Sequence, residues 1–143
     1  MTIDLLDTQL IALLQKDANQ TSEKLAEQLS VSPSTVRRRM KTIIERGVIR
    51  IIAIPEPKHV GLLLVAVVAF QVEHEKIDSF LETLGRREEV KCLYATSGRF
   101  DAIALMWFPS TEQLFEFMEK GIGKLEGIKT TETFICLHTE KSF

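Results

Sequence analysis

Leu6, Leu10, Leu13 and Leu14 recur at i, i+4, i+7 and i+8, which predicts an amphipathic helix ending near Asp17-Ala18-Asn19-Gln20. Thr21 stands where a second short helix needs a cap, with Glu23 in its first turn and Leu25, Ala26 and Leu29 facing inward. Ser30-Val31 leaves only a tight connection. Ser32 then caps a third helix, with Pro33 at its first position, where a missing N–H costs nothing. Gly47 ends that helix. Three short helices with a tight link between the second and third form the helix-turn-helix pattern.

After Gly47 the pattern changes. Val48 to Ile54 (VIRIIAI) is β-branched and predicts a strand or small wing. Pro55-Glu56-Pro57 stiffens an extended linker, so the expected domains are 1–57 and 58–143. Leu62–Val72 is a continuous apolar run, expected as a strand buried on both faces. Ile77, Phe80, Leu81 and Leu84 mark a helix by their spacing. Strands are expected at Val90–Thr96 and Ala102–Phe108, joined by the turn Ser97-Gly98-Arg99-Phe100. Ser110-Thr111-Glu112-Gln113 reads as a capping box before a helix, with Leu114, Phe115, Phe117 and Met118 as core. Gly127 precedes a last strand, Ile128–Leu137. The order β-α-β-β-α-β is ferredoxin-like, and the expected class is α+β: a winged helix-turn-helix followed by a ferredoxin-like domain. That fold serves many purposes and assigns none.

The net charge of -2 conceals its distribution. Residues 1–60 hold 9 Lys and Arg against 7 Asp and Glu, and residues 61–143 hold 9 against 13. From Ser32 to Arg50 there are 6 basic residues and 1 acidic. At 100° per residue, Val36, Met40, Ile43 and Ile44 share one side of the third helix. Arg38 points almost opposite, flanked by Ser34, Lys41 and Glu45 on one side and Thr35 and Thr42 on the other. Hydroxyls near the N-terminal end and cations around them suit a helix in a DNA major groove. Ser34, Thr35 and Arg38 are the base-edge candidates, Arg37 and Lys41 the phosphate candidates. Arg50 is placed on the backbone from the wing, and Arg39 is read as either a DNA contact or the partner of an acid in its own domain. The bland alternative is a solvated helix face.

In order and spacing, LLDTQLIALLQKDAN, LAEQLSVSPSTVRRRMKTIIERGVI and the βαββαβ half resemble the Lrp/AsnC transcription regulators over essentially the whole chain. The loop Thr96–Asp101 (TSGRFD) and the ending Gly127–Thr133 (GIKTTET) add to the resemblance. It implies a C-terminal domain of RAM or ACT type, dimers formed through β-sheets, octamers of such dimers, and an amino-acid effector held between dimers. Carried onto this chain, the effector residues are Ser97, Gly98, Arg99 and Asp101, with Thr131 and Thr133. A small-residue turn lets backbone N–H groups approach a carboxylate, and Asp101 can accept an ammonium. The competing role of Gly98 and Asp101 is to build the turn itself. The chain departs from the family pattern at Asn19, Glu126 and Thr130, where Arg, Pro and Arg are common.

The function expected is regulation of transcription by binding double-stranded DNA, modulated by a small molecule such as an amino acid, with a homodimer or octamer as the working form. A dimer reads two half-sites, and a second copy covers the sheet side carrying Leu64, Ala66 and Val68 or their neighbours. Two alternatives stand beside it. One is an enzyme resembling the sirohaem decarboxylases of similar architecture, for which His59, His74, His138 and Tyr94 are scattered and the second half is acidic. The other is a metabolite sensor without DNA binding. No catalytic set, metal-ligand spacing or cofactor motif is evident. Cys92 and Cys136 are expected as buried reduced thiols. The first residues do not read as a signal peptide, and no apolar run is long enough to span a membrane, so the expected location is the cytoplasm.

Overall fold

The structure, a computed structural model, describes residues 3–140. Two compact units part between Ala53 and Ile54. The first holds α1 (Leu5–Lys16), α2 (Ser22–Leu29) and α3 (Pro33–Glu45). Each helix starts on a side-chain cap. Asp4 and Asp7 form a reciprocal box, in which each carboxylate accepts the other's backbone N–H. Thr21 accepts from the Lys24 N–H, and Ser32 from the Thr35 N–H. Ser30 takes a left-handed conformation (φ 53°) and makes the tight link between α2 and α3. Leu10, Leu14, Leu25, Ala26, Val36 and Ile43 form the core of the unit. Ile44, expected on the buried side of α3, is instead exposed.

α3 ends on paired bonds from the Gly47 N–H to the Ile44 carbonyl and from the Val48 N–H to the Ile43 carbonyl, both 2.9 Å. The wing expected next is not formed: Val48–Ile54 carries no ladder hydrogen bonds among the described residues. Its β-branched side chains favour an extended backbone but provide no neighbouring strand. Ile51, Ile52 and Ile54 are exposed.

The second unit contains β1 (Leu64–Val72), α4 (Ile77–Gly85), β2 (Val90–Ala95), β3 (Ala102–Phe108), α5 (Thr111–Glu116) and β4 (Ile128–Ile135). The sheet order is β2-β3-β1-β4, antiparallel throughout, as the ferredoxin-like pattern requires. Leu64, Ala66, Val68, Phe70 and Val72 face the helices and pack with Phe80, Leu84, Leu114, Phe117 and Ile122. β1 was expected to be buried on both faces, but Val65, Val67 and Gln71 on its other side stay partly exposed. Both helices lie on one side of the sheet, so Leu64, Ala66 and Val68 belong to the covered face and only their neighbours to the open one.

α5 continues as a π-helical stretch, Phe117–Ile122. Ser110 accepts from the Gln113 N–H at 3.4 Å, the forward half of the expected capping box. Phe115 was expected in the core but is 68% exposed, because the buried stripe of this helix runs through Leu114 and Phe117. Cys92 is half-buried and Cys136 exposed, which corrects the expectation of two buried thiols; Cys136 lies past the end of β4.

Candidate DNA interface and effector region

The cations of α3 have separate fates. Arg39 turns back to α1, where its guanidinium bonds Asp4 and both carboxylate oxygens of the buried Asp7, each at 3.1 Å. Of the two roles open to Arg39, this geometry supports the pairing with acids of its own domain. The Asp7 backbone N–H holds the Asp4 carboxyl below its ordinary pKa, with a further contribution from Arg39. Arg39 is in turn pushed up by Asp4.

Arg37 is exposed and reaches Glu23 of α2 at 3.1 Å, and Lys41 lies 3.7 Å from Glu45. Such exposed pairs are weak and readily exchanged for a phosphate. Arg38 is exposed and has no ion pair among the described residues. The same holds for Arg50 and for Arg46, the cap residue of α3. Arg46 was not nominated from the sequence, although it belongs to the basic run. At the start of α3 the Ser32 hydroxyl lies 2.9 Å from those of both Ser34 and Thr35. Ser34 is exposed and Thr35 partly buried. The cap thereby arranges the hydroxyls at the positive end of the helix dipole.

In the second unit the turn between β2 and β3 is tied to its surroundings. The Thr96 N–H donates to the Asp101 carbonyl at 2.9 Å, and the Thr96 hydroxyl to the Phe100 carbonyl at 2.7 Å. Gly98 has φ 118°, which disfavours any other residue there. The Asp101 carboxylate accepts the Val72 N–H at 2.9 Å, and the Gln71 amide donates to the Arg99 carbonyl at 2.8 Å. Part of Asp101 is therefore used by the end of β1. The Arg99 guanidinium rests over the Phe100 ring and lies 3.9 Å from Glu132.

Thr131 and Thr133 pair with Phe70 and Val68, so they stand on the helix side of β4, exposed at the sheet edge. Glu132 lies on the opposite face, with Arg99. Within one chain the structure joins Ser97, Gly98, Arg99 and Asp101 in one turn and leaves the two threonines apart from Arg99. Glu132 and Gln71 were missed, since strand alternation places them only once the register is known.

On the open face, a groove of about 830 Å³ has Val65, Leu105 and Trp107 as its floor, between Pro57 and Leu63 on one side and Leu137 on the other. No group of three or more His, Cys, Asp or Glu that could hold a metal converges among the described residues. No described helix is long and apolar enough to cross a membrane.

A capped helix-turn-helix with an exposed basic face, joined to a ferredoxin-like domain, defines a DNA-binding regulator with a separate sensing domain. Residues 3–42 match the AsnC-type helix-turn-helix domain, and residues 65–143 match the Lrp/AsnC ligand binding domain. The chain belongs to the Lrp/AsnC family of transcriptional regulators, which are not enzymes. It is 36% identical over 140 residues to an uncharacterized HTH-type transcriptional regulator of Pyrococcus furiosus, covering 97% of this chain and 95% of that one. It is 30% identical over 142 residues to HTH-type transcriptional regulator FL11 of Pyrococcus abyssi, covering 99% and 93%. Among solved structures, E. coli AsnC superposes with a TM-score of 0.86 at 26% identity, covering 100% of this chain and 97% of that one. A transcriptional regulator from Neisseria meningitidis, solved as a complex with L-Met, has the same fold (TM-score 0.88, 22% identity, covering 99% and 94%).

Proposed function

We propose that this regulator reads DNA through α3 as a symmetric homo-oligomer and that an amino acid bound by its C-terminal domain changes its assembly or its DNA affinity. The observation that carries the DNA reading is the contrast between adjacent arginines. Arg39 is committed to α1, while Arg38 is exposed at the centre of the helix's outer face and has no ion pair among the described residues. Arg38, Ser34 and Thr35 contact base edges; Arg37, Lys41 and Arg50 contact phosphates. The amino-acid reading is supported by the match to a ligand binding domain, by the L-Met in the Neisseria relative, and by the turn around Gly98. The oligomer is supported by the open sheet face, where Val67, Leu105, Tyr94 and Phe134 leave apolar surface in water.

The test is selection of duplexes from a random-sequence pool by the purified protein, then titration of variants on the selected and a scrambled duplex. Arg38→Ala is expected to lose the preference for the selected site. Lys41→Ala is expected to weaken both duplexes alike and to reduce the slope of log affinity against log salt by about one unit. A selective loss with Lys41→Ala, or no loss with Arg38→Ala, overturns the assignment.

A further inference from the structure

The outer face of α3 has a flank on either side of Arg38. At about 100° per residue, Arg37 and Lys41 lie on one flank, about 100° and about 60° from Arg38. Arg39 and Arg46 lie on the other, about 100° and about 80° away. A helix in the major groove runs between two phosphate strands, in a channel about 12 Å wide, so each flank faces one strand. Counted from the sequence, the cations are balanced across the face. The fold breaks the balance, because the Arg39 guanidinium is drawn back onto Asp4 and the buried Asp7 of α1.

Arg46 is the cation left on that flank. It is exposed and has no ion pair among the described residues. Its flank otherwise holds Thr35 and Thr42, and the two acids nearest to it in α1 are taken by Arg39. Its backbone is held in place. The Arg46 N–H donates to the Thr42 carbonyl at 3.1 Å, and the next two N–H groups turn back to the Ile44 and Ile43 carbonyls. Arg46 stands about 18 Å along the helix axis from Ser34, well past the end that reads bases. The first flank is different, since each of its cations has an acid alongside: Glu23 lies 3.1 Å from Arg37, and Glu45 lies 3.7 Å from Lys41. Glu45 falls about 20° from Arg38, on the Lys41 side. A carboxylate there repels phosphate from the middle of the face and leaves the Arg46 flank as the approach to the DNA backbone at this end of α3.

Given α3 as the helix that enters the major groove, the reading on which this rests, we infer that Arg46 holds the phosphate strand opposite to the one held by Arg37 and Lys41. It is a positioning residue. It reads no base itself, but with the other flank anchored it fixes the angle at which Arg38 meets the base edges.

The test uses the full chain and the duplex it selects, synthesised with single uncharged methylphosphonate linkages placed in turn along each strand of a half-site. Wild type, Lys41→Ala, Arg46→Ala and Arg46→Lys are titrated on each duplex and on a scrambled one. Wild type is expected to lose affinity to neutral linkages on both strands. Arg46→Ala is expected to weaken the selected and scrambled duplexes alike, with the slope of log affinity against log salt smaller by about one unit per half-site. It is also expected to become indifferent to neutral linkages on one strand, and Lys41→Ala to those on the other. Arg46→Lys keeps the charge and is expected to restore the slope and the strand pattern, which a purely structural role of the side chain does not predict. Arg46→Ala binding as wild type while Arg38→Ala and Lys41→Ala bind less overturns this inference alone. Indifference of Arg46→Ala to the same strand as Lys41→Ala also overturns it. If Arg38→Ala and Lys41→Ala bind as wild type too, the reading of α3 falls and this inference with it.

Discussion

Arg38 and Arg39 are neighbours in sequence with opposite surroundings. One faces water. The other is drawn onto the capping box of α1, where Asp7 would be a buried, uncompensated charge without it. Asp4 makes this corner pH-dependent. Its carboxyl is held below the ordinary value of 3.8, chiefly by the Asp7 N–H and then by Arg39. The charged form is therefore favoured by folding, and its contribution is present above about pH 4 and lost as pH falls through the lower folded value. Asp4→Asn keeps a capping oxygen but removes the charge. Thermal melts between pH 6 and 2.5 are expected to show wild type above Asp4→Asn at pH 6 and the difference shrinking below pH 4. A difference constant with pH contradicts the assignment.

At the scale of elements, caps and glycines set where each one starts. Ser32 caps α3 and gathers the hydroxyls proposed to meet DNA. Ser32→Ala is expected to cost about 1 kcal/mol in chemical denaturation. It should also weaken the selected duplex more than Arg50→Ala does, because it disturbs the reading end of the helix. Gly127 stands in the turn just before β4 with φ 90°, and a Cβ there would stand 2.6 Å from that of Lys76. Gly127→Ala is expected to cost on the order of 1–3 kcal/mol, read as a lower denaturant midpoint for the C-terminal unit.

Over the whole molecule, the open sheet face is the surface proposed to carry the assembly. Cys92, Leu105, Val67 and Phe134 lie in register across β2, β3, β1 and β4, and Phe134 is half exposed. Phe134→Arg places a charge in the proposed contact. Light scattering is expected to show the wild-type oligomer fall to a single chain, with affinity for a two-half-site duplex falling more than tenfold. The same measurement with single amino acids added tests the effector: a mass that shifts with one of them supports ligand-switched assembly, and a mass indifferent to all removes it.

The elements were largely legible in the sequence. Helix periods, Thr21 and Ser32 as caps, and β3 from Ala102 to Phe108 all follow from local preferences that a short stretch contains in full. The exposed side of α3, proposed to face DNA, was legible too, because a helix's period converts spacing directly into direction. What needed the tertiary structure was whatever depends on a distant partner. Val48–Ile54 has strand residues but, among the described residues, no strand beside it. The covered face of β1 depends on where two helices land, and that decides that Leu64, Ala66 and Val68 are covered while their neighbours stay on the open side. Arg39 finds acids 32 and 35 residues earlier in the chain. A cleft between Arg87 and Lys120 exists only because the α4–β2 turn meets the distant helix that carries Phe117. Local sequence fixes backbone preference and periodicity, while pairing, coverage and charge compensation are properties of contacts that only the folded chain brings together.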